Sequence, residues 1–174
     1  MAGSCAITAG YVIGCRESIG GIEAVYIAEA GNVTFTDASG VITGLVKAAG
    51  KKYFKFEVPT KSTATATAEG TGSTENGTIF FDHTVELPIN KRDATTRNIV
   101  TTLAKNKLSI ITKDKDGVYR LYGKVNGLYL DSTGGMTGAA AGDKNGYTLK
   151  FSGQEMDDFF VVTDAIGAVL ETAG

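Results

Sequence analysis

The stretch that most constrains the fold is residues 78–89, where side chains of two kinds alternate along the chain. One face would carry Phe81, His83, Val85 and Leu87, and the other would carry Phe80, Asp82, Thr84 and Glu86. A period of two is typical of a β-strand that buries one face. Pro88 lacks a backbone N–H and therefore predicts the end of this strand.

A single helix is expected directly after this strand, over residues 91–105. Asn90 is the predicted N-cap, because its side chain can accept a hydrogen bond from a free N–H of the first turn. An apolar stripe at helical spacing is formed by Thr96, Ile99, Val100, Leu103 and Ala104. Lys105 lies where a cation favours the end of a helix.

Most of the remaining chain is predicted to form short strands. The candidate strands are residues 22–29, 32–36, 41–46, 51–58, 108–112, 118–123, 125–130 and 147–153. Asp116-Gly117 and Asn145-Gly146 are turn signals. The composition, with 23 Gly and no Trp, also favours strands and turns. We therefore expect a mainly β protein, an antiparallel β-sandwich or barrel with one flanking helix and long loops.

A single domain is expected to span all 174 residues. Residues 1–20 would form an N-terminal arm. Residues 131–142 are predicted to be a flexible loop. Residues 156–174 would form a C-terminal closing segment that adds one or two strands.

Residues 60–77 contain no large apolar side chain, and two interpretations of them stay open. They are either a mobile surface loop or, through alternating Thr and Ala, an extended hairpin that becomes ordered only against a neighbouring subunit.

Charge and cysteine content exclude several classes of function. The formal net charge of −2 disfavours sequence-independent nucleic-acid binding. Apolar runs are too short for a membrane-spanning helix, so we expect no membrane anchor. Cys5 and Cys15 are too few for a disulfide scaffold and are predicted to be small buried residues in a protein folded in a reducing cytoplasm.

No residue pattern indicates an enzyme. His83 is the one histidine, and no serine or cysteine is locally paired with it, so a core or subunit-contact role is expected. Asp114 and Asp116 match only part of a calcium loop, and a hairpin turn is the better interpretation. We therefore predict no catalytic, cofactor-binding or metal-binding residue.

Three segments carry a resemblance to a known group of proteins. They are GYVIGCRESIGGIEAVYIAEAGNV, the stretch from Glu75 to Gly123, and GDKNGYTLKFSGQE. Their specific patterns are ENGT-x-FF, the INK-led helix ending in LAKNKL, a D-x-x-G hairpin and GD-x-NGYTL-x-F-G. In these the chain resembles virion structural proteins of tailed bacteriophages and is most similar to the tail tube family.

The resemblance implies a β-sandwich subunit that assembles, in the host cytoplasm, into hexameric rings. The rings would stack into a tube that passes DNA without sequence-specific binding and contacts other virion tail proteins. The candidate inter-subunit loop within residues 60–77 comprises Thr60, Lys61, Thr63, Thr65, Thr67, Glu69, Thr71 and Ser73. Alternatives are a head decoration or head–tail joining protein, and then an Ig-like binding module.

Overall fold

The computed structural model describes residues 5–61 and 63–172. The predicted fold class is confirmed, because the chain is mainly β, with two sheets and a flanking helix. Residues 1–4 of the predicted arm, residue 62 of the 60–77 segment and residues 173–174 of the closing segment lie outside the described residues.

Most elements of the described chain are strands that follow one another, with one helix in the middle and a second near the end. The strands are β1 (Ile22–Glu29), β2 (Val33–Ala38), β3 (Val41–Lys47), β4 (Phe54–Glu57), β5 (Thr65–Ser73), β6 (Thr78–Ile89), β7 (Leu108–Asp114), β8 (Tyr119–Tyr122), β9 (Tyr129–Met136), β10 (Gly146–Glu155) and β11 (Phe160–Val162). The helices are α1 (Ala94–Lys105) and α2 (Asp164–Thr172), and a 3-10 turn covers Ala30–Asn32.

The strands form a seven-stranded and a four-stranded sheet. The larger sheet has the order β2-β3-β11-β8-β7-β1-β4, and the smaller has the order β5-β6-β10-β9. Strand β11 runs parallel to β3, and the other pairings between these strands are antiparallel. The long strand predicted over residues 78–89 is confirmed as the second strand of the smaller sheet.

The core has two parts, one on each face of the larger sheet. Val25 and Ile27 of β1 pack between the sheets with Val85 and Leu87 of β6 and with Phe151 of β10. The second part contains Tyr26, Ile111, Leu121, Phe160 and Leu170. Successive side chains of β1 therefore enter different parts of the core, which explains why this strand reads as a continuous apolar run.

Helix α1 begins later than the sequence predicted. Its N-cap is Asp93 and not Asn90, because an Asp93 carboxylate oxygen accepts a hydrogen bond from the Thr96 N–H at 2.7 Å. That hydrogen bond, with further contacts to Thr96 and Lys91, lowers the pKa of Asp93 to about 2. Within the predicted stripe Val100 and Leu103 are buried, whereas Ile99 is 39% exposed.

Residues 65–73 form a paired strand and not a mobile loop. Strand β5 pairs with β6 from Thr65 opposite Glu86 to Ser73 opposite Thr78. Alternation places Ala66 and Ala68 against the core between the sheets, so small apolar side chains are enough to fix the strand. The hairpin interpretation was right about the strand, but β5 is paired within its own chain.

The closing segment forms one strand and an unpredicted second helix. Residues 166–170 were expected to extend a sheet, but they lie in α2. Leu170 is 2% exposed and Ile166 packs against the same core, a spacing of four residues that suits a helix. A Cβ atom at Gly167 would lie 2.4 Å from the Tyr119 ring, so the missing side chain lets α2 approach β8.

Other local predictions also need correction. Cys5 and Cys15 are exposed and not buried, because residues 5–21 lie outside both parts of the core. The strand expected over residues 125–130 begins at Tyr129, and β9 continues to Met136 through part of the predicted flexible loop. Neither helix of the described chain has the length and apolar character needed to cross a bilayer.

Candidate functional site

The outer face of the four-stranded sheet collects the predicted inter-subunit residues. Five of them project from β5 on this face, namely Thr65, Thr67, Glu69, Thr71 and Ser73. Thr60 and Lys61 lie in the turn before the strand, and Thr63 is exposed in the connection. The structure thus places five of the predicted residues on a continuous surface and the other three beside its edge strand.

Two further strands complete this surface with residues that the sequence analysis did not single out. They are Asp82, Thr84 and Glu86 of β6 and Lys150, Ser152 and Gln154 of β10. Their neighbours His83, Val85, Leu87, Leu149 and Phe151 are buried, so the named residues point away from the core. The period of two along β6 predicted which of its side chains point outward, but no function was predicted for that side of the strand.

Strand register arranges these side chains in rows. Thr67 lies opposite Thr84, which lies opposite Ser152. In the next row Glu69 lies opposite Asp82. We call the surface formed by these outward residues of β5, β6 and β10 the polar face. It displays hydroxyl groups and carboxylates, together with the half-buried Phe80 opposite Thr71, and its one ammonium group among the residues named is Lys150.

The pairing of Glu69 with Asp82 reduces the stability of the sheet. Like charges directly opposite each other on antiparallel strands are destabilising, and Gln154, the next residue in the row, carries no charge to offset them. Stability of the subunit therefore does not explain this arrangement.

Both end strands of the four-stranded sheet have a side that pairs with no described strand, and helix α1 packs against one of them, β9. Strands β5 and β9 are its end strands, and no described strand pairs with their outer edges. An end strand presents backbone N–H and C=O groups that can pair with another chain. The polar face is therefore bounded on two sides by edges suited to association.

Beneath the polar face, two buried side chains hold the loop of residues 123–128. Glu155 is 4% exposed, and one of its carboxylate oxygens accepts hydrogen bonds from the N–H groups of Val125, Asn126 and Gly127 at 3.2, 2.8 and 3.0 Å. His83 accepts a hydrogen bond at Nδ1 from the Gly123 N–H at 3.2 Å. These contacts fix the loop to β6 and β10.

His83 has a structural role. Its Nε2 lies 3.0 Å from the Asp157 carbonyl oxygen, so the ring donates there while accepting from Gly123 at Nδ1. The ring also packs edge-on against Tyr122. Both nitrogens are engaged and the side chain is 2% exposed, which leaves neither nitrogen available to a substrate.

The free energy of unfolding is expected to fall as the pH is lowered through the range below 6.5. Burial, the largest cause, lowers the pKa of His83 despite the Asp157 carbonyl and the carboxylates of Glu155, Asp158 and Asp82. Just below pH 6.5 the unfolded chain therefore binds a proton that the folded chain does not, which favours unfolding. Above pH 6.5 both states are neutral here and this stability is fully present.

Urea denaturation between pH 8 and pH 5, followed by circular dichroism, measures this dependence. Because His83 is the single histidine, His83→Gln is the matched control and should have a weaker dependence above pH 5. Equal slopes for both proteins would contradict the assignment.

The predicted absence of a metal site remains a prediction. Among the described residues no group of three or more His, Cys, Asp and Glu side chains is placed to hold a metal ion. Asp114 instead forms an ion pair with Arg120, and its carbonyl accepts from the Gly117 N–H at 3.0 Å. Residues 114–117 thus form the hairpin turn that the sequence indicated.

Comparison of the sequence with protein-family models and with curated proteins gave no significant match.

Proposed function

We propose that this chain is a tail tube subunit of a tailed bacteriophage, whose copies join into hexameric rings that stack around a DNA channel. The observation that carries the proposal is the polar face, an acidic and hydroxyl-rich surface on a sheet whose two end strands each have a side that pairs with no described strand. The sequence resemblance to tail tube proteins supports the same assignment.

The end strands β5 and β9 support association into a closed ring. Pairing β5 of one copy with β9 of the next would extend the four-stranded sheet from subunit to subunit. A sheet that closes on itself leaves no exposed edge, whereas an isolated subunit has two. The polar faces of all copies would then lie on one side of a continuous barrel.

The chemistry of the polar face suits a channel for DNA. Lysine and arginine side chains hold DNA through its phosphates, so a conduit needs few of them. Glu69, Asp82 and Glu86 outnumber Lys150 on this surface. The lysines at 51, 52 and 55 lie in or next to β4, in the other sheet, and therefore do not conflict with a channel lined by the polar face.

Negative-stain electron microscopy of the purified, tag-free protein, with light-scattering mass on the same sample, tests the proposal. Hollow tubes or hexameric rings are expected. A monomer at every concentration, including after addition of preformed tail components, would overturn it. Discrete particles bound to virion heads without tubes would favour a head decoration or joining protein.

A thiol-accessibility experiment tests which surface lines the channel. In a Cys5→Ser/Cys15→Ser background, Thr67→Cys places a thiol on the polar face, and Thr101→Cys places one on the exposed side of α1. A maleimide on a polymer too large to enter the tube should label Thr101→Cys in tubes but not Thr67→Cys. Both should be labelled in unassembled chains, and equal labelling of Thr67→Cys in both states would contradict the lining.

A further inference from the structure

An apolar groove lies between β4 and helix α1. It has a volume of about 890 Å³ and is lined by the whole of β4 and by one side of the helix. The helix residues are Thr95, Asn98, Ile99, Thr102 and Leu103. Phe54 is 57% exposed and Ile99 is 39% exposed, so the groove presents large apolar side chains to water.

The groove follows an end strand of the larger sheet. Strand β4 is the end strand of the seven-stranded sheet, and no described strand pairs with its outer side. A sheet edge beside an apolar groove is the arrangement to which an extended segment binds by adding a strand, with alternate side chains entering the groove. The occupant should therefore be extended and apolar on one face.

We propose that this groove receives residues 7–13 from the arm of a second copy of the chain, laid antiparallel along β4. The arm has the required pattern, since Ile7, Ala9, Tyr11 and Ile13 alternate with Thr8, Gly10 and Val12. In an added strand the four odd-numbered side chains lie on one face and enter the groove.

The exposure of the arm supports this occupant. Ile7 is 95% exposed, Tyr11 is 89% exposed and Ile13 is 87% exposed. Large apolar side chains grouped in one short segment and left in water are typical of a surface that binds another protein. The arm and the groove each leave apolar surface exposed, and docking buries both.

Chain direction favours a second copy over the same chain. The arm precedes β1, so to reach β4 it must turn at Gly20-Gly21 and run antiparallel to β1. Because β4 is also antiparallel to β1, the arm of the same chain would lie parallel to β4. Parallel pairing is slightly less stable for each residue, whereas a second copy can approach in the antiparallel direction.

The base of the arm lines a cleft distinct from the groove. Residues 18–21 line this cleft of about 580 Å³ with β5 and Arg120, and it shares no residue with the groove. The inference rests on the proposed self-assembly and names one contact between subunits that would support it.

Disulfide trapping between two different chains tests the contact. The acceptor chain carries Cys5→Ser, Cys15→Ser and Asn98→Cys, so that its one thiol lies in the groove. The donor chain carries Cys5→Ser, Cys15→Ser and Ala9→Cys, so that its one thiol lies within the segment that docks. After mixing and mild oxidation with glutathione disulfide, we expect a donor–acceptor dimer on a non-reducing gel.

Two matched variants control for random collision. An acceptor with Thr101→Cys in place of Asn98→Cys has its thiol on the same helix but outside the groove. A donor with the combination Ala9→Cys/Tyr11→Asp/Ile13→Asp keeps the thiol but loses most of the apolar face. Each change should reduce the mixed dimer on the order of tenfold, because docking raises the effective concentration of the thiols.

The outcomes separate this contact from the tube assignment. Tubes without the mixed dimer would overturn the groove contact alone. A mixed dimer specific to Asn98→Cys, in a protein that never forms rings or tubes, would support the contact and overturn the tube assignment. Equal trapping at both acceptor positions would overturn the contact. A further variant places Asn98→Cys in the donor chain itself. If the disulfide then formed exclusively within one chain, the contact between two copies would also be overturned.

Discussion

Replacing Glu155 with alanine is expected to lower the free energy of unfolding by about 3 kcal/mol, because it leaves buried donors without an acceptor. One Glu155 oxygen accepts from three consecutive backbone N–H groups, those of residues 125–127. The Gly127 N–H is buried, so water cannot readily replace the carboxylate there. Loss of this acceptor should also loosen the loop against His83, which accepts from Gly123.

Urea denaturation followed by circular dichroism measures this effect. Glu155→Gln is the matched control: it keeps an acceptor oxygen but removes the charge, and it should cost about half as much. Hydrogen exchange of the residue 125–127 amides gives a local measure and should speed up strongly in the alanine variant alone. An alanine variant as stable as the parent protein would show that the carboxylate does not hold the loop.

Replacing Gly146 with alanine is expected to cost about 3 kcal/mol or more, at the upper end of the range for overpacking. A Cβ atom at this position would lie 1.9 Å from the Ile89 carbonyl oxygen and 2.9 Å from the Asn90 Cα. Both atoms belong to the backbone, so no side-chain rotation relieves the clash. The first residues of β10 would have to separate from the end of β6.

Gly134→Ala is the control within the same sheet. Its added Cβ would have no neighbour closer than 3.9 Å, the distance to Thr148. That substitution should leave stability unchanged or raise it by a few tenths of a kcal/mol, because alanine reduces the entropy of the unfolded chain. Similar thermal midpoints for both alanine variants would contradict the close approach at Gly146.

Both predictions concern β10, an inner strand of the sheet that carries the polar face. Strand β10 pairs with β6 on one side and with β9 on the other. Displacing it moves the edge strand β9, through which we propose that neighbouring subunits pair. Gly146→Ala should therefore reduce ring formation even at a temperature where the subunit stays folded, and light-scattering mass measures this.

Local sequence predicted the elements whose burial follows one clear period. Strand β6 was placed at its observed bounds because buried and polar side chains alternate along it. Helix α2 was missed because its short apolar run is compatible with a strand or a helix until its packing partner is known. That partner is the second part of the core, where Leu170 packs with residues such as Leu121.

Capping residues show a similar limit. Asn90 and Asp93 are both good N-caps by residue type, and residue type alone does not favour the later one. The extended pairing of β6 continues through Ile89, next to Asn90, and the helix begins at Ala94. The position of the cap was therefore decided by how far the sheet pairing extends.

The sequence by itself determined the fold class, the long strand of residues 78–89 and the presence of α1, since each depends on periodicity within one segment. The tertiary structure decided that β5 pairs with β6, and that Glu69 lies opposite Asp82. It also decided that the groove of β4 and α1 stays open. These features depend on strand register and on contacts between distant segments, which the local pattern of side chains does not specify.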